Sequence, residues 1–227
     1  MKKKTFYSEL AYVFGMIVLA FGSAMMEKAD LGMSMVVAPA YLLHLKISQI
    51  LPFFSFGMAE YTLQALLVIS VMLIVRKFKL FYMFSFITAI LYGLLLDCSI
   101  SILSLINLEG IGWQIVFYSV GLVMCSFGVA LLFRTYISPE AYELFVKEIS
   151  AKFNLNIYNV KTTYDCVSCF VGICLSFLFF GWLHFEGVKL GTIVCAIING
   201  RLIGLINKAL DKKFVFVDRL RLRRLFE

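Results

Sequence analysis

Charge is what this chain has least of. Asp, Glu, Lys and Arg make up 15% of its 227 residues, where a water-soluble domain uses about a quarter. Too little charge is present to coat a solvated surface, and 62% of the residues are apolar. An exterior of that kind is favoured by lipid. Also missing are a P-loop, a nucleophile elbow and an H-E-x-x-H motif, the usual marks of ATP hydrolysis, acyl transfer and metalloproteolysis. Only two histidines occur, His44 and His184, and neither has a Cys or carboxylate cluster near it in sequence to make a metal site. The expectation is therefore a protein that is not an enzyme and needs no cofactor. With a soluble basic module absent, nucleic acid is not an expected partner, despite a net charge of +7.

What is present in quantity is uncharged length. The gaps between charges suggest six spans near 8–27, 57–76, 79–101, 111–134, 164–184 and 188–208, since a crossing helix needs about 20 mostly apolar residues. Met1-Lys-Lys-Lys before an apolar run also fits the opening of a cleaved signal. That run is long for a signal, however, and residues 12–24 have a near-copy at 118–130. It reads as a helix that stays.

Basic residues in short loops set orientation. With the N-terminus cytoplasmic, seventeen Lys and Arg fall inside and three (Lys28, Lys46, Lys189) outside, with Arg201 in a span. Both termini are then cytoplasmic, and the basic inner face meets anionic lipid. All six cysteines fall in predicted spans rather than loops, which argues against a disulfide framework. Cys166-Val-Ser-Cys169 has thiol–disulfide spacing, yet no second pair is placed to pass on electrons.

The chain also repeats itself. A shift of 106 pairs Tyr12 with Tyr118, Gly15 with Gly121, Phe21 with Phe127, Gly22 with Gly128 and Ala24 with Ala130; a shift of 107 pairs Ala89 with Ala196, Ile90 with Ile197, Gly93 with Gly200 and Leu95 with Leu202. Each half (8–101 and 111–208) holds three spans, and an odd number inverts the second half relative to the first. A single transmembrane domain of two inverted repeats, followed by a basic tail at 209–227, is the expected architecture. After its first span, each half carries a segment too apolar for a loop and too short for a span. The first reads as a re-entrant or interfacial helix from Ser34 to His44 containing Pro39, entered through Asp30 and Gly32. The second has Ser138 as N-cap and Pro139 at the first helical position. It is amphipathic, with Leu144, Phe145, Ile149 and Phe153 on one face and Glu143, Lys147 and Glu148 elsewhere. The tail alternates Arg219, Arg221 and Arg223 with Leu220 and Leu222, a period of two that suggests an extended segment on lipid or on a partner's strand.

Ala29-Asp-Leu-Gly-Met-Ser, Pro39-Ala-Tyr-Leu-Leu, Ser138-Pro-Glu, Val160-Lys161, Asp165, Gly191-Thr192-Ile and Asn199-Gly200 occur in an order that resembles the YczE/YitT-type family of bacterial integral membrane proteins. The resemblance reaches to about residue 210. It implies a multi-spanning, transporter-like protein of the bacterial cell membrane with no settled substrate. That family favours Gly after the proline equivalent to Pro139; this chain has Glu140.

Ionisable groups at membrane depth are costly and point to function. Arg201, deep in the sixth span, reads either as a cavity cation for an anionic solute or as a structural partner of Asp165. Lys161 is a further partner for Asp165. Asp97 and Glu60 read as coupling carboxylates or as hydrated interfacial residues. Ser34, Ser138, Tyr41, Tyr92 and Asn199 are expected to line a midplane site, with Gly93 and Gly200 as equivalent close helix contacts. The function these residues suggest is a secondary transporter or permease of a small, anionic solute. The alternative is a substrate-binding or scaffolding subunit serving a partner protein. A homodimer is compatible with either.

Overall fold

The computed structural model describes residues 4–32, 34–54, 56–76, 81–181 and 188–220; Lys2, Lys3, Lys77, Lys79, His184 and the tail from 221 lie outside them. Strand β1 (Lys4–Tyr7) leads into helices α1 (Ser8–Lys28), α2 (Ala38–Ile47), α3 (Phe56–Val75), α4 (Phe81–Ser104), α5 (Ile111–Leu132), α6 (Ala141–Phe153), α7 (Ile157–Phe180) and α8 (Leu190–Lys213), and strand β2 (Phe214–Val217) follows. Six of the helices, all but α2 and α6, are long and apolar enough to cross a membrane. The protein is thus a helical multi-pass membrane protein.

Helix α7 starts earlier than the predicted fifth span. Asn154 ends α6 in the left-handed conformation (φ 52°), and Asn156 caps α7 by accepting a hydrogen bond from Tyr158 N at 2.9 Å. This extra N-terminal length carries Lys161 and Asp165 on one helix, four residues apart.

The short helices start later than expected. The Ser34 carbonyl accepts from Val37 N and Ala38 N at 3.1 and 3.0 Å, so Ser34 sits in a turn before α2, with Pro39 in the first helical turn. Ser138 is not the cap of α6; Glu140 holds that position without a side-chain capping bond. The Ser138 hydroxyl bonds Ser85 at 2.7 Å and its carbonyl accepts from Thr88 at 2.7 Å. Pro139 lies just before the helix. The expected faces of α6 are corrected in part: Glu143 is buried together with Leu144, whereas Phe153 is 54% exposed. A buried lysine on α7 gives Glu143 its reason to turn inward.

At the centre, α1 and α5 cross backbone to backbone. A Cβ on Gly15 would lie 3.1 Å from the Gly128 carbonyl, and one on Gly22 would lie 2.8 Å from the Gly121 carbonyl. Ascending one helix therefore descends the other, and the pair is antiparallel. Small residues permit this approach, and dispersion between the backbones holds it. Gly200 of α8 is similarly tight, its Cβ position 2.8 Å from the Tyr158 carbonyl; Gly93 is not, its nearest neighbour being the Tyr61 hydroxyl at 4.0 Å. The expected pair of equivalent close contacts is corrected accordingly, because α4 stands off from α3 at that level.

The two chain ends meet. β1 and β2 pair in parallel, Lys4 opposite Phe214 through Tyr7 opposite Val217. The extended segment expected in the tail from Phe214 begins there, as β2, and adds to this chain's own N-terminal strand rather than to a partner's. Beyond it, Ser8 donates to Asp218 at 2.5 Å, and Glu9 accepts from Leu220 N at 2.8 Å.

Candidate functional site

The start of α6 and the N-terminal half of α7 bring charges into the bundle interior. Lys161 Nζ lies 3.0 Å from Asp165 Oδ1 and 3.3 Å from Glu143 Oε1, with all three side chains no more than 7% exposed. The chain of contacts continues across the helices. Asp165 Oδ2 accepts from Asn199 Nδ2 at 3.2 Å, and Asn199 Oδ1 accepts from Ser126 at 2.9 Å. On the other flank of α6, Tyr142 donates to Glu60 Oε1 at 2.8 Å and Gln64 Nε2 reaches the same oxygen at 3.4 Å.

Glu140 completes the group. It is 5% exposed, and its Oε1 has no hydrogen-bond partner among the described residues. The same is true of Glu60 Oε2. Burial is the largest influence on the Glu140 carboxyl and pushes it well above the ordinary range, with the nearby Glu143 and Glu60 carboxylates adding to the effect and Lys161 opposing it. The N-terminus of α6 would favour an ionised Glu140 by about 1 kcal/mol, but burial of an unpaired carboxylate costs several times that. Burial therefore favours the protonated form of this carboxyl.

These groups border a small internal cavity of ≈ 50 Å³ that Glu140, Tyr142, Glu143, Lys161, Asn199, Tyr92, Cys125 and Ser34 help to line. A space of that size holds a few waters or one small ion. Glu60, Glu140, Glu143 and Asp165 supply four carboxyl groups around one ammonium, so the interior carries spare capacity for positive charge.

A family of unknown function, DUF6198, matches residues 6–208. The chain belongs to that family. No curated protein and no solved structure matches it. The DUF6198 match covers every residue of the cluster and names neither the YczE/YitT type nor transporters.

Several residues singled out from the sequence of this DUF6198 member do meet at the cavity: Ser34, Tyr92, Asn199 and Lys161 line it, and Asp165 and Glu60 stand behind it. Tyr92 donates to Ser23 at 2.8 Å. Asp30, Gly32 and Tyr41 line a different, open pocket of ≈ 470 Å³. Asp30 is held there by Lys189 Nζ at 2.6 Å, and Gly32 adopts φ 128° with its backbone against Thr192, a conformation and closeness that only glycine accepts readily. Ser138 belongs to the Ser85–Thr88 contact described above.

Arg201 is placed elsewhere than expected. It is exposed and forms no ion pair with Asp165, whose partner is Lys161. The reason is helical geometry: two residues turn a helix by about 200°, so with Asn199 facing the cavity Arg201 faces outward. Asp97 is exposed too. Sequence reasoning missed Glu140, Tyr142, Glu143, Gln64 and Ser126. One available signal was Glu140 itself, an acid where the resembled family favours glycine. Another was the Lys161/Asp165 spacing, which only a helix starting before 161 turns into a pair. Among the described residues, no three His, Cys, Asp or Glu side chains are grouped to hold a metal, and the six cysteines are free, with Cys166 exposed and Cys169 buried.

Proposed function

We propose that this protein is a secondary transporter of the bacterial cell membrane that exchanges protons for a small cationic solute at the Glu140–Lys161 cluster. The observation that carries the reading is the buried Glu140 Oε1, without a hydrogen-bond partner among the described residues, at a small cavity in which carboxyl groups outnumber ammonium groups. Such a carboxyl can hold a proton or a cation but not both. Competition for one group couples two flows without further machinery. The anionic solute foreseen from the sequence depended on a deep Arg201; an outward Arg201 and an acidic interior favour a cation instead.

We read the fold as two inverted repeats, with α2 and α6 as their inserted, re-entrant helices and both termini cytoplasmic. Support comes from the α1–α5 crossing. At the 106-residue offset Gly15 corresponds to Gly121 and Gly22 to Gly128, so the Gly15–Gly128 and Gly22–Gly121 contacts map onto each other. Reciprocal contacts are the signature of a two-fold axis, and an antiparallel crossing lays that axis in the membrane plane. Two more contacts correspond: Tyr12 with Thr88 and Tyr118 with Cys195. Alternating access by rocking one repeat on the other suits this plan.

The test is a pure protein in proteoliposomes carrying an internal pH dye, challenged with methylammonium, ethanolammonium, sodium and acetate in turn. One or more of the cations should drive proton efflux, and Glu140→Gln should abolish it in a protein that still inserts and elutes as one species. Cation-driven proton movement undiminished in Glu140→Gln would remove Glu140 from the coupling. Movement with acetate alone would restore the anionic reading.

A further inference from the structure

Two open pockets occupy opposite ends of the bundle. One, of ≈ 470 Å³, includes Glu27, Lys28, Asp30 and Tyr41 in its wall. The other, of ≈ 340 Å³, includes Phe133, Arg134, Tyr136 and Lys147. A shift of 106 residues converts the first four into the second four, one for one. Two unrelated surface clefts would not use the same positions of both repeats.

Each pocket also stands one helical turn from the central cavity. On the first side, Ser23 and Val37 line the cavity while Glu27 and Tyr41 line the pocket. On the second, Val129 and Glu143 line the cavity while Phe133 and Lys147 line the pocket. Residues four apart share a helix face and are separated along the axis by about 6 Å. All four pairs therefore run from the cavity towards a pocket.

The two ends differ in what walls them and in chemistry. The second pocket is walled in part by Ser8 of α1 and by Phe216 and Asp218; the last two come from the C-terminal segment after α8 and have no counterpart in the repeat. Phe216 also stacks under Arg134, 5.0 Å from ring centre to guanidinium. Among the described residues, the first pocket has no such strap. It carries the Glu27 carboxylate where the second has Phe133, and Asp97 adds a further negative charge within range of Glu27. Lys189 is engaged by Asp30.

We propose that these pockets are the two mouths of one path through the central cavity, and that the Asp30-end mouth is the loading site for a small solute bearing a protonated amine. Glu27 receives the ammonium group, Ile100 and Leu103 take a short apolar body, and the unpaired Glu140 oxygen is the next acceptor one turn further in. The β1–β2 strap narrows the opposite mouth. This inference rests on the reading of the central cluster as a cation site.

The probes are two thiol reagents of similar size, cationic aminoethyl and anionic sulfonatoethyl methanethiosulfonate, on full-length Ser104→Cys protein in nanodiscs, with peptide mapping of each cysteine. Rates are taken relative to free cysteine in solution. The cation should be favoured at position 104 by about tenfold, the size of enrichment a charged cleft gives. Glu27→Gln should reduce that preference several-fold, and methylammonium should slow the labelling only when Glu27 is present. A preference unchanged by Glu27→Gln, or one for the anion, would overturn the loading site. The path has its own arm. Native Cys125 should be labelled in intact protein and protected by methylammonium, and releasing the strap with Ser8→Ala and Asp218→Asn together should raise its rate at least threefold. No change at Cys125 in the strap variant would overturn the shared path. Glu140→Gln should leave the Glu27-dependent preference intact, so failure of the proton-exchange reading and failure of the loading site give different results.

Discussion

The α1–α5 crossing and the α6–α7 cluster are both fully buried, and they are built on opposite principles. At the first, Gly15, Gly22, Gly121 and Gly128 bring backbones together with their Cβ positions 2.7–3.1 Å from facing carbonyls. Nothing there is charged. At the second, Lys161, Asp165 and Glu143 occupy space that apolar side chains would fill more cheaply, and Glu140 Oε1 has no hydrogen-bond partner among the described residues. The first interface is stable because nothing in it can be improved by moving. The second holds charges whose balance changes with every proton gained or lost. A scaffold of the first kind is what allows a costly group of the second kind to persist.

Removing Lys161 should have the largest effect. Lys161→Met leaves Asp165 and Glu143 buried without their cation, which costs about 3–5 kcal/mol. Thermal unfolding in bicelles should show the loss, and adding Asp165→Asn should recover a clear part of it. A Lys161→Met protein as stable as the parent would mean the cluster is hydrated rather than dry.

Next comes the seam. Gly121→Ala places a methyl 2.7 Å from the Gly22 carbonyl and 2.8 Å from Met26 Cγ, and overpacking of that kind costs about 1–3 kcal/mol. Gly93→Ala, with 4.0 Å of room, should change unfolding by less than about 0.5 kcal/mol. Equal losses at the two glycines would erase the contrast between a tight seam and a loose one.

Glu140 should act through pH. Its carboxyl is raised above the ordinary 4.5 by burial, so from pH 4.5 upward the folded protein keeps a proton that the unfolded chain has released. Stability then falls as pH rises, by up to about 1.4 kcal/mol per unit, until the folded carboxyl also ionises. Unfolding midpoints of Glu140→Gln measured across that window should lack this decline while sharing every other slope. A parallel pair of curves would place Glu140 in water. The smallest effect belongs to Arg201→Gln, within about 0.5 kcal/mol of the parent as for other exposed sites; a loss of several kcal/mol would return Arg201 to the interior.

Much of the architecture could be read from residue order alone. Six spans follow from where charges are missing, because lipid tolerates few of them and each crossing needs a fixed length. The glycines of the α1–α5 seam were visible as a repeat at one offset. Asp165, Asn199, Tyr92 and Glu60 were singled out as polar or ionisable groups in the predicted spans and Lys161 as a partner for Asp165, and all five stand at or beside the cluster. What could not be read was direction. Glu143 was assigned away from the buried face because, along α6 alone, its charge argues for water; the Lys161 ammonium arriving from α7 reverses that preference. Arg201 was assigned inward because, along α8 alone, depth argues for function; the packing of Asn199 against Asp165 and Ser126 fixes the helix rotation and turns Arg201 out. Span count and the repeat are local properties, set by transfer to lipid and by duplicated residues. The rotation of each helix is decided only when its neighbours close around it, since burial energies of all faces compete at once and a single well-paired charge outweighs several weak preferences.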